Sequence, residues 1–319
     1  MMMQSRFKTI LITGVAGFIG SNLCRELLKA PENFIIGVDN LYSGKFENIE
    51  ELIGNDRFKF IEYDVITPLA FADKIDEIYH LACPASPPFY QKSPIAVSQC
   101  CFNGSLNMLN LAKEHDAKIL LTSTSEIYGE PLQHPQQESY RGNVNPIGIR
   151  SCYDEGKRIA ESLFFDFHRQ YNTRIKVVRI FNTYGPFMRP DDGRVVSNFI
   201  MQALKNEDIT IYGDGKQTRS FCFVDDLVKG LISMMSSEEY FTGPVNLGNP
   251  CELSMLDIAE LIIKTTNSKS KLIFKPLPSD DPTRRRPDIS LAQSKLGWAP
   301  RVDLEHGLEK TINFFRNLI

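Results

Sequence analysis

The sequence lacks the cysteine pattern of a disulfide-stabilised or zinc-binding protein. Its 319 residues contain seven cysteines, but no Cys-x-x-Cys pair occurs and no cluster of histidines lies near them. An odd, scattered set is typical of reduced thiols in a cytosolic protein, and it argues against a zinc site. We therefore expect a cytoplasmic protein that binds no metal.

Long hydrophobic runs and an excess of one charge are also missing. No apolar stretch approaches the ~20 residues that span a bilayer, and residues 1–8 lack the apolar segment of a signal peptide. The 36 Lys and Arg residues face 39 Asp and Glu residues, for a net charge of −3. The sequence thus predicts neither a membrane nor a nucleic acid as partner, and any anionic ligand needs a local site.

What is present is the pattern of an α/β protein. Short apolar runs, which predict strands, alternate with helical stretches in the first half, as expected for a parallel sheet covered on both faces. The predicted strands are residues 9–13, 34–39, 58–63, 77–81, 118–123 and 176–181, and the predicted helices between them are 19–29, 94–114 and 153–171. We expect a Rossmann-type doubly wound parallel sheet.

The character of the chain changes after about residue 186. Helices are predicted at 195–205, 223–235, 254–266 and 304–318, with only two short strands, 210–212 and 244–247. At roughly 150 residues per domain, the length fits a large α/β unit with a smaller lobe. The predicted domains are an NAD-binding unit, 1–185 with 222–250 returning to it, and a substrate-binding lobe formed by 186–221 and 251–319.

A glycine-rich turn follows the first predicted strand. Gly14, Gly17 and Gly20 have the spacing G-x-x-G-x-x-G between a strand and a helix start. Such glycines allow a tight turn, close approach to a pyrophosphate and close packing of helix on strand, and the helix N-terminus favours phosphate. A glycine triplet alone also occurs in structural turns, but the flanking strand and helix favour a dinucleotide site.

An acidic residue ends the second predicted strand, 25 residues beyond Gly14. The carboxylate of Asp39 at that place accepts hydrogen bonds from ribose hydroxyls and repels a 2′-phosphate. It therefore favours NAD over NADP, although a solvated aspartate at a strand end is the alternative. Asp64 and Val65 end the third strand, within reach of an adenine ring.

Tyr153 and Lys157 lie at i and i+4 on one predicted helix face. A nearby ammonium lowers the pKa of a phenol, which makes the phenol a base for an alcohol proton. A Tyr-x-x-x-Lys pair is often a surface pair, but a polar cluster, residues 122–126, directly follows an apolar strand here. Side chains at strand ends point into the ligand crevice, so we predict a proton-handling site.

Eight sequence motifs, distributed over almost the whole chain, resemble those of a known family. They are residues 80–88 (HLACPASPP), 123–129 (STSEIYG), 142–148 (GNVNPIG), 151–158 (SCYDEGKR), 179–186 (RIFNTYGP), 192–199 (DGRVVSNF), 217–221 (QTRSF) and 281–288 (DPTRRRPD). With them the sequence resembles the extended short-chain dehydrogenase/reductase family, which modifies nucleotide sugars, and within it the UDP-glucuronate decarboxylases. The resemblance implies an enzyme that oxidises C4 of UDP-glucuronate with NAD, loses CO₂ and re-reduces C4 to give UDP-xylose.

The resemblance also implies roles for individual residues. The residues that would hold NAD are Gly14, Gly17, Phe18, Ile19, Asp39, Asn40, Ser43, Gly44, Asp64, Val65, Leu81, Thr122, Tyr153, Lys157 and Thr183. Tyr153 would be the base, Lys157 its partner, and Thr124 a hydrogen-bond partner of the sugar 4-hydroxyl. Glu126 would act near C5. The residues that would hold UDP and the sugar are Asn182, Arg194, Tyr212, Arg219 and Arg285.

The chemistry of the ligand supports the arginines, because two phosphates need cations and the chain is not basic as a whole. A packing role for Tyr212 and a surface role for Arg219 and Arg285 remain the alternatives. Related proteins form dimers through two helices of each subunit, so we expect a homodimer. The apolar residues on the matching helices, which could equally pack in the core, are Leu106, Leu109, Leu163, Phe164 and Phe167.

Three positions bear on which family activity to expect. Cys100 and Cys101 stand where the family commonly has Thr-Asn, and Phe187 stands where decarboxylases commonly have Arg, with Arg189 two residues later. Ser125 stands where 4,6-dehydratases have the Asp that protonates a departing hydroxyl. The enzyme alternatives are a nucleotide-sugar 4,6-dehydratase and a 4-epimerase, and the non-enzyme alternative is a dinucleotide-sensing binding protein.

Overall fold

A computed structural model describes residues 7–276 and 284–319. The N-terminal residues 1–6 and the start of the 281–288 motif lie outside that description, so expectations about a leader segment and about residues 281–283 stay predictions. Among the described residues, no helix is long and apolar enough to cross a membrane.

A seven-stranded sheet forms the centre of the molecule. Its strands are β1 (Lys8–Thr13), β2 (Asn33–Asp39), β3 (Phe58–Glu62), β4 (Glu77–His80), β5 (Lys118–Thr124), β6 (Ile175–Ile180) and β11 (Val245–Leu247). They lie in the order β11-β6-β5-β4-β1-β2-β3, and each neighbouring pair is parallel. The predicted Rossmann-type sheet is confirmed. Its order reverses between β1 and β4, which is where such sheets bind ligands.

Helices cover both faces of this sheet. The helices are α1 (Phe18–Leu28), α2 (Pro87–Lys92), α3 (Pro94–Gln99), α4 (Ser105–His115), α5 (Ser151–Tyr171), α6 (Val195–Leu204), α7 (Val224–Met235), α8 (Met255–Thr266), α9 (Ser290–Leu296) and α10 (Leu304–Arg316). Alternate residues of β1 point to opposite faces: Ile10 and Ile12 pack with α1 and α7, and Leu11 packs with α4 and α5. Covering on both faces explains why the strands are continuous apolar runs.

The predicted helix at 94–114 is interrupted. A π-helical segment, Cys100–Gly104, separates α3 from α4. Periodicity of apolar residues does not reveal one extra residue in a turn, and such bulges are frequent at functional sites. The π-segment passes close to α5, since a Cβ on Gly156 would lie 2.9 Å from the Cys101 Sγ.

Three small sheets accompany the main one. They pair β7 (Thr183–Tyr184) with β10 (Cys222–Phe223), β8 (Ile209–Tyr212) with β13 (Leu272–Lys275), and β9 (Thr218–Ser220) with both β12 (Glu252–Ser254) and β14 (Arg284–Arg285). The parallel register of β9 and β14 sets Arg219 beside Arg285. These very short strands carry too few residues to show a period of two in the sequence.

β11 lies next to β6 in the main sheet, although the two strands are far apart in the sequence. Lys176 of β6 forms hydrogen bonds with the loop that precedes β11. The Lys176 ammonium donates to the carbonyl oxygens of Glu238 and Phe241, each at 2.7 Å, and to the Ser237 hydroxyl at 2.9 Å. Burial lowers the pKa of Lys176 to about 8. Lys176 therefore ties this loop to β6 through buried polar contacts.

Candidate active site

Two adjoining clefts open at the carboxyl ends of the central strands. They contain about 1160 Å³ and 820 Å³ of empty space. Both are lined by Gly14, Gly17, Ser43, Leu81 and Cys83, so they form one continuous groove. We call the larger part the catalytic cleft and the smaller part the adenosine cleft.

The glycine turn forms the floor between the two clefts. Gly14 has φ +74°, and a Cβ there would lie 2.9 Å from the Ala82 nitrogen. A Cβ on Gly20 would lie 2.1 Å from the Gly14 carbonyl oxygen, so α1 and β1 approach as closely as only glycine allows. α1 begins at Phe18 with no side chain capping it, which leaves its first N–H groups available to a phosphate.

Asp39 closes the adenosine cleft. Its carboxylate accepts hydrogen bonds from the backbone N–H of Ala16 at 3.0 Å and of Leu41 at 2.9 Å. Burial raises the pKa of Asp39, and these backbone N–H groups oppose the rise. Asp39 therefore ties the glycine turn to the loop after β2 while it lines the cleft. The glycine floor, the open helix start and this carboxylate fit a dinucleotide.

Every residue predicted to hold the cofactor lines one of the clefts. Those of the adenosine cleft are Gly14, Gly17, Asp39, Asn40, Ser43, Gly44, Asp64, Val65 and Leu81. Those of the catalytic cleft are Gly14, Gly17, Phe18, Ile19, Ser43, Leu81, Thr122, Tyr153, Lys157 and Thr183. Sequence positions spread over 170 residues thus meet in one groove.

Tyr153 and Lys157 lie on α5 and point into the catalytic cleft. The Lys157 ammonium donates to the Thr122 carbonyl oxygen at 3.0 Å, and the Tyr153 hydroxyl hydrogen-bonds with the Thr124 hydroxyl. Burial raises the pKa of Tyr153 above that of an ordinary phenol, and Lys157 opposes the rise. Of the predicted trio, Thr124 and Tyr153 are therefore hydrogen-bonded, and Lys157 acts on Tyr153 through its nearby charge.

A second aromatic ring fixes Tyr153 in place. Tyr90 of α2 stacks on Tyr153 with 5.5 Å between ring centroids and 6° between ring planes. His80, buried at the end of β4, has its Nδ1 2.8 Å from the Thr13 hydroxyl. Burial lowers the pKa of His80 to about 3, with Lys157 adding to the effect. His80 is therefore a neutral structural residue beside the charged lysine.

Glu126 is clamped between two arginines. Arg150 Nη2 lies 2.6 Å from one carboxylate oxygen, and Arg285 forms hydrogen bonds with both oxygens. Burial favours the protonated acid, but Arg285 and Arg150 outweigh it and lower the pKa of Glu126 to about 2. Glu126 is thus a carboxylate at neutral pH, held in the wall of the catalytic cleft.

The residues predicted to bind UDP fall into two groups. Asn182 and Arg194 line the catalytic cleft. Arg285 and Arg219 are buried on β14 and β9 outside the lining, and Arg285 pairs with Glu126. Tyr212 is 44% exposed at the end of β8. The structure therefore brings two of the five to the cleft wall and sets two others directly behind it.

Ser125 and Phe187 occupy different surroundings. Ser125 is buried in the lining of the catalytic cleft. Phe187 does not line it, because its ring packs 3.8 Å under the Arg25 guanidinium and 5.0 Å from the Phe314 ring. Arg189 does line the cleft and forms two hydrogen bonds with Asp191, at 2.9 and 2.7 Å.

Sequence reasoning missed several residues of the site. Arg150 completes the clamp on Glu126, and Asp192 lines the cleft 3.2 Å from the Arg194 guanidinium. Ser86 and Phe89 line the opposite wall. Asp192 is the first residue of the motif 192–199, and Arg150 directly precedes the motif 151–158. These positions are the signal by which both residues could have been found. In the described part of the chain, no group of three or more His, Cys, Asp or Glu side chains is placed to hold a metal ion.

The fold and this groove define an NAD-binding enzyme of the Rossmann class. The chain belongs to the NAD dependent epimerase/dehydratase family, whose pattern matches residues 10–248. It is 53% identical over 307 residues to UDP-glucuronic acid decarboxylase 3 of Arabidopsis thaliana, covering 96% of this chain and 89% of that protein. It is 51% identical over 308 residues to UDP-glucuronic acid decarboxylase 1 of Danio rerio, covering 97% and 72%.

A solved structure matches with similar completeness. The UDP-glucuronic acid 4-epimerase of Bacillus cereus, in complex with UDP-glucuronic acid and NAD, superposes with a TM-score of 0.82 at 30% identity. The match covers 98% of this chain and all of the other one. The resemblance noted in the sequence is confirmed at the level of the family, and NAD is its cofactor.

Proposed function

We propose that this protein is an NAD-dependent UDP-glucuronate decarboxylase, which releases CO₂ and forms UDP-xylose. The observation that carries the proposal is the Tyr153–Thr124 hydrogen bond, with the Lys157 ammonium close enough to favour the phenolate, in the same groove as the glycine turn. The decarboxylases that share half of its residues over nearly the full chain support the substrate.

Bound NAD supplies a hydride acceptor for C4 of the sugar and returns the hydride at the end of the cycle. Tyr153 takes the proton of the 4-hydroxyl, because its hydroxyl is fixed in the cleft beside a buried ammonium. Thr124 hydrogen-bonds the same oxygen and orients it. Lys157 stabilises the phenolate form of Tyr153, which is the form that accepts this proton.

Loss of CO₂ follows from the chemistry of the oxidised sugar. A C4 ketone lies β to the C5 carboxylate, so the electron pair left by CO₂ spreads onto the ketone oxygen as an enolate. Tyr153, now protonated, donates a hydrogen bond to that oxygen. The enolate then takes up a proton at C5, which restores the C4 ketone for reduction. Glu126 and its arginines form the wall that we assign to C5. Arg194, at the N-terminus of α6, with Asn182, Tyr212, Arg219 and Arg285, is assigned to UDP and the sugar.

The decisive experiment incubates the full chain with UDP-glucuronate and NAD⁺ and follows CO₂ together with the mass of the nucleotide sugars. We expect one CO₂ for each UDP-glucuronate consumed and a product with the mass of UDP-xylose. Recovery of an isomer of unchanged mass without CO₂ would identify a 4-epimerase instead, the activity of the Bacillus cereus structure.

Ser125 argues against the dehydratase alternative. Its hydroxyl is a poor acid, and elimination of a 6-hydroxyl needs a proton donor at that place. UDP-glucose given to the same protein should yield no 4-keto-6-deoxy sugar. Formation of that sugar at a rate comparable to decarboxylation would overturn the decarboxylase assignment.

We also propose that the protein forms a homodimer through α3, the π-segment and α5, which contact each other. Phe102 and Ile159 are 40% and 41% exposed on these elements. Of the apolar residues predicted for this face, Leu109, Phe164 and Phe167 are buried in the core of the subunit, whereas Leu106 and Leu163 are half-buried. Core packing therefore accounts for three of them.

Sedimentation of the wild type and of the double variant Phe102→Glu, Ile159→Glu tests the dimer. We expect the wild type to sediment as a dimer and the variant as a monomer. Ile147→Glu, at a site that is 92% exposed on a loop, is the matched control and should stay dimeric. A monomeric wild type would contradict the proposal.

A reducing, cytoplasmic location is the last part of the proposal. All seven cysteines are free, which is typical of proteins in reducing compartments. Microscopy of a fluorescent fusion to the full chain, with a cytosolic and a secreted marker, tests it. Co-localisation with the secreted marker would contradict it.

A further inference from the structure

Three thiols meet where the catalytic cleft and the adenosine cleft join. Cys83 follows β4 and lines both clefts, while Cys100 and Cys101 begin the π-segment. The Sγ atoms of Cys83 and Cys101 are 3.3 Å apart, and the Cys100 thiol donates to the Ala82 carbonyl oxygen at 3.3 Å. Two of these cysteines occupy the positions at which this chain departs from the Thr-Asn that is common in its family.

The surroundings make the three thiols unequal. Hydrogen bonds from Cys100 and Cys101 lower the pKa of Cys83 well below its ordinary value, and Lys157 adds to the effect. The same contacts raise the pKa of Cys100 and Cys101, with burial adding to the rise. Cys83 is therefore the one of the three that ionises most readily, and the thiolate is the nucleophilic form of cysteine.

Access also differs between the cysteines. Cys83 lines both open clefts and is half-buried, so of the two paired cysteines it is the one that faces solutes in the groove. Cys101 lies behind it, 2% exposed, and packs against Gly156. Cys24 and Cys222 are fully buried elsewhere, and burial raises the pKa of each. Cys251 is exposed, and its backbone N–H donates to the Asn249 side chain rather than to another cysteine.

We propose that Cys83 and Cys101 form an oxidisable pair that small hydroperoxides convert into a reversible disulfide at the cofactor groove. The Cys83 thiolate attacks one peroxide oxygen, so that an S–O bond forms, the O–O bond breaks, and the peroxide is reduced to an alcohol or water after taking up a proton. The Cys101 sulfur then attacks the Cys83 sulfur. The S–S bond forms, and the oxygen leaves as water with the proton of the second thiol.

The disulfide has a direct consequence for the groove. It removes the thiolate that lies next to Lys157 and draws the π-segment toward β4, at a place that both clefts share. We expect the oxidised protein to hold NAD less tightly. Bound NAD should in turn slow the oxidation, because Cys83 lines the groove that the cofactor fills.

Peptide mapping by mass spectrometry after treatment with hydrogen peroxide tests the pair in the full chain. We expect the loss of two free thiols per chain and a peptide in which Cys83 and Cys101 are linked, lighter by two hydrogen atoms. Dithiothreitol should restore both thiols. The readout is chemical, so it does not depend on whether the protein decarboxylates UDP-glucuronate.

Three variants sharpen the test. In Cys101→Ser, Cys83 should stop at the sulfenic acid, which dimedone traps. In Cys83→Ser, no disulfide should form within the cluster. Cys251→Ser is the matched control, on an exposed cysteine outside the groove, and should form the same disulfide as the wild type.

Two results would overturn the proposal. One is oxidation confined to Cys251, with the cluster still fully alkylated by iodoacetamide after unfolding. The other is formation of the same disulfide at the same rate with NAD saturating the protein, because Cys83 would then not be reached through the groove.

Discussion

Tyr153 is the residue on which the proposed chemistry depends most directly. Replacing Tyr153 by Phe removes the hydroxyl that contacts Thr124 and keeps the ring stacked on Tyr90. We expect the rate of UDP-glucuronate consumption to fall by ~10²–10⁴-fold, the usual effect of losing a positioned base, with NAD binding largely kept. Tyr171→Phe, on the exposed end of the same helix, is the matched control.

Mass analysis of the nucleotide sugars measures both variants, and circular dichroism verifies their fold. Turnover of Tyr153→Phe close to that of the wild type would remove Tyr153 from the mechanism.

Glu126 should respond to pH in a way that its arginine clamp determines. The pKa of Glu126 is lowered from 4.5 to about 2, so the clamp stabilises the fold above about pH 4.5 and its contribution is lost as pH falls toward 2. Arg150→Gln removes one cation and should raise that pKa, so the variant should lose less stability on acidification and the loss should be complete at a higher pH. Free energies of unfolding in urea across a pH series measure the shift.

Arg169→Gln is the control for the clamp, since Arg169 is an exposed arginine of α5 that pairs with Asp166. If Arg150 had no effect on the pKa of Glu126, the free energies of unfolding of the two variants would change with pH in parallel. A profile of Arg150→Gln that matches the wild type would therefore contradict the clamp.

Related decarboxylases commonly have an arginine directly after the Gly-Pro that corresponds to Gly185-Pro186. Variants of Phe187 and Arg189 test whether Arg189 takes the place of that arginine. The Phe187 ring lies against Arg25 and Phe314 and away from the cleft. Phe187→Arg should therefore lower the melting temperature, because it loses a cation–π contact of roughly 0.5–1 kcal/mol and sets two cations together. It should not increase decarboxylation.

Arg189→Ala should slow decarboxylation, because Arg189 is the arginine of this loop that faces the cleft close to Ser43. Arg316→Ala, near the C-terminus, is the control. Unchanged decarboxylation in Arg189→Ala would show that its cation is not used.

At this scale the sequence predicted the side chains that line the groove better than those that support it. The glycines, Asp39, Tyr153 and Lys157 stand in local patterns whose spacing has a direct physical meaning. The clamp on Glu126 does not, because Arg285 lies 159 residues away and meets the acid only through tertiary structure. The pairing of Cys83 with Cys101 likewise depends on the approach of the π-segment to β4.

At the scale of elements, the packing of α5 on the π-segment is the most specific contact. A Cβ on Gly156 would lie 2.9 Å from the Cys101 Sγ. Gly156→Ala should destabilise the protein by about 1–3 kcal/mol, as overpacking does. In a Cys101→Ala background the contact with the sulfur is gone and only the one with the Cβ of residue 101, at 3.1 Å, remains, so the same change should cost less than in the wild type.

A double-mutant cycle in urea measures this coupling. Additive effects of the two substitutions would show that the helices adjust without contact between these residues.

The main elements could be predicted because their apolar runs are long. The six predicted strands of the first half all lie in the main sheet, and 244–247 corresponds to β11. The two-residue strands β7 and β14 could not be predicted, because their hydrogen bonds are to residues far along the chain. The six-residue α2 is too short to show a helical period. The π-segment was predicted as ordinary helix, since its side chains keep a helical spacing.

For the whole molecule, the question is whether the two predicted domains unfold separately. One apolar core runs from Ile10 in β1 through Leu227 in α7 to Phe315 in α10. Because this core joins the main sheet to the last helix, we expect one cooperative transition in urea. Near-ultraviolet and far-ultraviolet circular dichroism should give coincident curves, and two separated transitions would show independent domains.

The late arrival of β11 has a consequence for the protein while it is being made. Ribosomes add about 5–20 residues per second. The 64 residues between Ile180 and Val245 therefore leave one edge of β6 without its neighbour for roughly 3–13 s at that speed. An open strand edge invites pairing with other nascent chains, and a lysine within it discourages that. Lys176 is such a lysine, and it becomes buried only when residues 237–241 have left the ribosome and reached its ammonium. The same ammonium therefore discourages pairing of β6 with other chains during synthesis, and in the folded protein it holds residues 237–241 against the sheet.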